Sequence, residues 1–183
     1  MRVIAGTAKG TRLKAPPGLA VRPTADRVKE ALFNILGPHL IGSLFLDLYA
    51  GSGAIGIEAL SRGADSCIFV DNNKKNHALI KENLIKTRLE SKARLIIADV
   101  KKALFTLSGE GVKADLIYLD PPYDSSDLAS VVNSVFDLGI IAGNGLLVAE
   151  HAYSNSQWSD SIATKRQKKY GDTCLTIISP LNR

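Results

Sequence analysis

The stretch of the chain with the most chemistry in it is Asp120-Pro121-Pro122-Tyr123, which closes the apolar run 114–119. Consecutive prolines hold φ at roughly −65° and withhold two amide donors. The loop must therefore leave its strand in an extended form. The carbonyls of Asp120 and Pro121 and the Asp120 carboxylate can then face one cavity as acceptors. Tyr123 supplies a flat ring beside them. Acceptors beside an aromatic plane suit a planar base that offers an exocyclic amino group. The plainer alternative is a rigid turn with an N-capping Asp. Ligand sites of α/β sheets lie at the carboxyl ends of strands, and that location favours the chemical reading.

A second constellation lies upstream. Leu44-Phe-Leu-Asp47-Leu-Tyr49-Ala50 runs into Gly51-Ser52-Gly53-Ala-Ile-Gly56, where a helical pattern starts. Glycines at a strand-to-helix turn let backbone approach a ligand, although they also serve tight turns as such. Asp47 is a carboxylate within an apolar strand. Unpartnered, it would cost several kcal/mol, so it needs loop amides or a cationic ligand. The next strand ends at Asp71, twenty positions after Gly51, where such folds place an acid for ribose hydroxyls. Asp99 ends the third strand. Two cofactors remain open. A dinucleotide wants helix-terminus amides for its pyrophosphate. S-adenosylmethionine carries an amine at its methionine end, and the spacing Asp47-x-x-x-Gly51-x-Gly53 favours it.

These residues need a sheet to position them. Apolar runs 44–50, 66–70, 94–98, 114–119 and 146–149 alternate with helical patterns near 54–62, 73–89, 100–107 and 126–138. Continuous apolar runs fit parallel strands covered on both faces, and alternation with helices makes a doubly wound α/β sheet. Gly63 and Gly139 read as helix C-caps. Residues 162–170 and 173–179 read as a closing hairpin, and 153–161 as a surface loop. Ahead of the sheet, residues 2–15 read as strand, turn, strand. Thr24 then reads as the N-cap of a helix whose buried face is Val28, Ala31, Leu32, Ile35 and Leu36, stopped by Gly37-Pro38.

Composition sets the bounds. With 183 residues, 45% apolar and 22% charged, the chain is of single-domain size and not disordered. No apolar stretch reaches the ~20 residues of a membrane span, and the start lacks a secretory h-region. Cys67 and Cys174 lie far apart, and no His or Cys spacing fits a metal, so none is expected. The expectation is a cytoplasmic protein. Charge is uneven: residues 1–30 hold seven Lys or Arg against two acids, whereas residues 31–183 hold sixteen of each. A local positive field attracts a polyanion; a solvated basic arm is the plainer account.

Taken together, these motifs resemble a class I S-adenosylmethionine-dependent methyltransferase of the amino-methylating kind, with its [Asn/Asp]-Pro-Pro-[Tyr/Phe/Trp] signature. The N-terminal pattern narrows the resemblance to the RsmD family. Its motifs are Arg2-x-Ile4-Ala5-Gly6, Gly10-x-x-Leu13, Arg22-Pro23-Thr24-x-Asp26-Arg27 through Leu36, Leu46–Ala64 and Tyr170-Gly171-x-Thr173. The resemblance implies a seven-stranded, mostly parallel sheet with an antiparallel last strand, carrying an N-terminal hairpin and helix. It implies two units, a basic extension over 1–40 and a methyltransferase domain over 41–183. It implies methylation of N2 of a guanine in 16S rRNA.

By the same resemblance, Asp47, Tyr49, Ala50, Gly51, Ser52 and Gly53 would shape the methionine pocket. Asp71 and Asn72 would meet the ribose, and Asp99 and Val100 the adenine. Asp120, Pro121, Pro122 and Tyr123 would hold the target base. Arg2, Lys9, Arg12 and Lys14 would hold RNA, while Arg22, Thr24 and Arg27 would close over the cofactor or a phosphate. The expected partner is 16S rRNA or the 30S particle, met by a monomer. Rival readings are a DNA amino-methyltransferase, a protein glutamine methyltransferase, a non-catalytic ribosome-assembly factor and an NAD dehydrogenase.

Overall fold

A computed structural model describes residues 1–16, 23–121, 127–152 and 164–180. The strands are β1 (Leu44–Leu48), β2 (Ser66–Asp71), β3 (Ala93–Ile97), β4 (Ala114–Leu119), β5 (Ile141–Ala152), β6 (Thr164–Tyr170) and β7 (Thr173–Ser179). The helices are α1 (Pro23–Leu36), α2 (Ala54–Ser61), α3 (Lys74–Thr87), α4 (Val100–Gly109) and α5 (Leu128–Asp137). One seven-stranded sheet forms in the order β3-β2-β1-β4-β5-β7-β6. The pairs among β1 to β5 are parallel, and β7 runs antiparallel between β5 and β6.

The continuous apolar runs work because strand side chains alternate between faces. Phe45, Phe69, Leu116, Tyr118, Val148 and Leu175 enter one core cluster, shared with α1, α2, α3 and the first thirteen residues. Leu46, Leu48, Val70, Ile117, Leu147 and Ile178 enter a second, shared with α4 and α5. The chain crosses from β1 to β2 and β3 on one side, then returns to β4 on the other. That reversal puts a crevice at the carboxyl ends of β1 and β4.

One local expectation holds with added detail, and two are corrected. The N-terminal hairpin forms: Arg2 and Arg12 make an antiparallel bridge, the Val3 amide donates to the Thr11 carbonyl at 3.0 Å, the Gly10 amide to the Val3 carbonyl at 2.9 Å and the Leu13 amide to the Met1 carbonyl at 3.1 Å. Four further amides reach α2: Ile4 and Ala5 donate to the Glu58 carboxylate at 2.8 and 3.0 Å, and Thr7 and Ala8 donate to Ser61. Gly6 makes this approach possible, because a Cβ there would lie 1.7 Å from the Ser61 carbonyl oxygen. Helix α1 starts at Pro23, so Thr24 lies inside its first turn and is not the N-cap. Proline, with preset φ and no N–H to leave unbonded, suits the first helical position. Strand β5 begins five residues before its apolar run. Its pairing with β4 jumps from Ala114–Ile141 to Leu116–Leu146, so Ala142-Gly143-Asn144-Gly145 sit in a bulge.

Candidate active site

A cleft of about 380 Å³ opens at the switch point, lined by Tyr49, Gly51, Asp71, Asn72, Asn73, Asn76, Ala98, Asp99, Val100, Asp120 and Pro121. Strand β1 delivers the glycine turn, in which Gly53 takes φ +75° and precedes α2. A Cβ on Gly53 would stand 3.1 Å from Ile80 of α3. Tyr49 is held at φ 65°, a left-handed conformation costly for a non-glycine residue. It sits half-buried on the cleft wall. Burial, then the charges of Asp99 and Asp127, push its hydroxyl pKa up.

Asp71 at the tip of β2 organises the next wall. One carboxylate oxygen accepts from the Gly51 amide at 2.8 Å and the Asn76 side chain at 3.1 Å; the other accepts from the Asn73 amide at 2.8 Å. A carboxylate has about four acceptor positions, which leaves one on the latter oxygen for a ligand hydroxyl. Asn73 caps α3 by accepting from the Lys75 amide at 2.9 Å. Asp99 caps α4 in the same way, through the Lys101 amide at 3.0 Å. Val100 then opens that helix, where an amide has no intrahelical acceptor, and both residues line the cleft.

Asp47 goes elsewhere. It is 1% exposed, lies behind the glycine turn, and accepts from the Gly56 amide at 2.9 Å. Burial raises its pKa to about 7; the Gly56 bond opposes that rise and the charge of Asp71 adds to it. Ala50, Ser52 and Gly53 also stand outside the cleft lining. The Ser52 hydroxyl turns to the Met1 sulfur, 3.5 Å away. Thus Tyr49, Gly51, Asp71, Asn72, Asp99 and Val100 meet in one space, and the remaining four support it from behind.

The opposite wall is Asp120 and Pro121, at the end of β4. Asp120 is exposed on the cleft, whereas Pro121 is buried. Enclosure by protein, then the negative charges of Glu150 and Asp47, hold the Asp120 pKa well above the carboxylate range. Glu150 lies at the level of Asp120 on neighbouring β5 and accepts the Tyr118 hydroxyl proton in a short hydrogen bond. Burial raises its pKa also.

Asn73, Asn76 and Glu150 escaped sequence reasoning. Asn73 and Asn76 follow Asp71 by two and five positions, and Glu150 ends an apolar run as Asp71 does; those were the available signals. Among the described residues, no group of His, Cys, Asp or Glu could hold a metal ion, and no helix is long and apolar enough to cross a membrane.

Arg2, Lys9, Arg12, Lys14 and Arg27 are exposed and none lines the cleft. Lys14 reaches Glu82 at 2.6 Å on the surface. Arg22, Pro122, Tyr123 and the stretch 153–161 lie outside the described residues, and Thr24 is placed by its backbone only. The basic segment is fastened by buried polar groups. Glu58, 0% exposed, also holds Arg62 at 2.7 Å and Lys29 at 3.3 Å, and the Lys29 ammonium donates to the Arg2 carbonyl at 2.7 Å. Asn83, equally buried, accepts from the Lys14 amide and donates to the carbonyls of Lys14 and Ser52.

A seven-stranded sheet with β7 antiparallel between β5 and β6, and a cleft at the β1–β4 switch point, is the class I methyltransferase fold. The family described as "Conserved hypothetical protein 95" matches residues 1–179. The chain belongs to that family, the RsmD family. It is 42% identical over 179 residues, 97% of each chain, to the Bacillus subtilis (strain 168) protein YlbH, named as a candidate rRNA methyltransferase. It is 33% identical over 155 residues to the "Ribosomal RNA small subunit methyltransferase D" of Escherichia coli (strain K12), covering 85% of this chain and 76% of the relative. A solved structure of yhhF from Escherichia coli, named as a candidate methyltransferase, superposes with a TM-score of 0.87 at 28% identity, over 100% of this chain and 99% of that one.

Proposed function

We propose that the chain transfers a methyl group from S-adenosylmethionine to the exocyclic N2 amine of a guanine in 16S rRNA, in the cytoplasm. One observation carries this reading. The acid-and-amide wall of Asp71, Asp99 and Val100 and the acceptor wall of Asp120 and Pro121 face each other across one cleft. The names of the relatives above support the rRNA substrate.

The donor set fits the cofactor. Asp71 keeps one acceptor position for a ribose hydroxyl, Asp99 and the Val100 amide offer an acceptor and a donor for an adenine edge, and Tyr49 and Gly51 close the methionine end. When bound, the cofactor supplies an electrophilic methyl group. The chain's own residues do the rest. A guanine amine is a poor nucleophile, because its lone pair is delocalised into the ring. Asp120 and the Pro121 carbonyl, accepting its two N–H bonds, favour a pyramidal nitrogen with a localised lone pair. Much of the acceleration is then positioning, with the acceptor oxygens of Asp120 and Pro121 aimed at the positive charge that develops on nitrogen.

The test is methyl transfer to 30S particles and 16S rRNA from a strain lacking this protein, with duplex DNA as the alternative acceptor. Labelling of a single guanine N2 is the expected result. Labelling of DNA alone, or of no nucleic acid, overturns the reading. Neutralising Arg2, Lys9, Arg12 and Lys14 together should weaken substrate binding and flatten its salt dependence, by about 0.7–0.9 of a log unit for each phosphate left without its cation. Cofactor affinity should not change.

A further inference from the structure

The far edge of the sheet carries a set of charges that the cleft does not use. Strand β6 reads Thr164-Lys-Arg-Gln-Lys-Lys-Tyr170: four cations in seven residues and no acid. Arg166 and Lys168 are exposed, and no ion pair among the described residues neutralises either. The opposite edge strand differs. There Arg94 of β3 is held by both carboxylate oxygens of Glu110, at 2.6 and 2.8 Å. Lysines on an edge strand do discourage sheet-to-sheet pairing. That role is indifferent to face and to height along the strand, and here both are specific.

Pairing registers place them. Arg166 lies opposite Ile177, Ile177 opposite Val148, and Val148 opposite Tyr118. One step higher, Lys168 lies opposite Leu175 and Leu175 opposite Glu150, at the level of Asp120. Leu175, Val148, Ile177 and Tyr118 all pack on the face that carries the basic N-terminal segment. Arg166 and Lys168 therefore project to that same face. Strand β6 is antiparallel to β7, which is antiparallel to β5, so Lys168 also stands at the rim where the cleft opens.

The geometry points to Arg166 and Lys168 as a phosphate-holding edge for the RNA strand that flanks the target nucleotide. This inference rests on the proposed rRNA substrate. Three strand steps of ~4.8 Å separate Lys168 from Asp120, about 14 Å. At ~3.4 Å per stacked nucleotide, that is about four nucleotides of single strand. A guanine drawn into the cleft would thus leave its neighbours' phosphates within reach of β6. A single-sign surface also raises the local concentration of a polyanion.

The experiment uses the full chain with Arg166→Gln and Lys168→Gln combined, a charge-reversed R166E/K168E partner, and 30S particles lacking the modification. Substrate affinity should fall roughly tenfold in the neutral variant and further in the reversed one. The salt slope should shrink by about 0.7 for each phosphate left without its cation. Turnover at saturating substrate, melting temperature and cofactor affinity should stay at wild-type values. Unchanged affinity and salt slope in both variants, with an active wild type, overturn the inference alone. A wild type that neither binds nor methylates rRNA overturns the functional reading, and this inference with it.

Discussion

Replacing Glu58 with alanine should loosen the basic segment and destabilise the whole chain, because one buried carboxylate serves four donors. It is 0% exposed and accepts from the Ile4 amide at 2.8 Å, the Ala5 amide at 3.0 Å and Arg62 at 2.7 Å, with Lys29 at 3.3 Å. Removing it strands Lys29, whose side chain is 5% exposed and, among the described residues, keeps only the Arg2 carbonyl. Breaking one side of a buried ion pair costs about 3–5 kcal/mol. Orphaning two amides adds about 1–3 kcal/mol each where water cannot reach them. Both lie on a partly exposed segment that can lift into solvent, so the ion-pair figure dominates. At roughly 2–4 °C per kcal/mol for a chain of this size, the melting temperature should drop by about 6–20 °C. Urea unfolding measures the free energy, and hydrogen exchange at Ile4 and Ala5 reports the segment directly. Glu58→Gln, which keeps two acceptor positions on its carbonyl, should lose less. A loss below about 1 kcal/mol, with both amides still protected, would falsify the claim that Glu58 is the anchor.

Further outcomes can be checked independently. Asp71→Ala should weaken S-adenosylmethionine binding by about 1–3 kcal/mol in calorimetry, since it removes a charged acceptor and frees the Gly51 amide; unchanged affinity would remove Asp71 from the cofactor site. Asp120→Ala should slow single-turnover transfer at least about a hundredfold while cofactor affinity holds; retained turnover would exclude it from the chemistry. Asp47, with its folded pKa raised to about 7 from 3.8, keeps its proton in the fold where the unfolded chain has lost it. Stability should therefore fall as pH rises from about 4 to 7, on the order of 4 kcal/mol. Asp47→Asn should flatten that fall in denaturant titrations at pH 5 and 8, and an equally steep fall in the variant would refute the assignment.

Much of this molecule was legible in the chain alone. Apolar runs at 44, 66, 94, 114 and 146 with helical periods between them are local patterns, and alternation along each strand sorts them to two faces without tertiary information. Asp71, Asp99 and Asp120 each end such a run, so the carboxyl edge of the sheet, and the acids on it, follow from sequence order. The meeting of those acids does not. It depends on the crossover that brings β4 beside β1, a connection between residues seventy positions apart. Three-dimensional packing decided that Asp47 bonds to Gly56 behind the cleft, that Glu150 comes level with Asp120, and that the amides of Ile4, Ala5, Thr7 and Ala8 turn to Glu58 and Ser61. Each is a partner choice made across the fold. A side chain's type announces that it must find a partner, and only the packed chain determines which one it reaches.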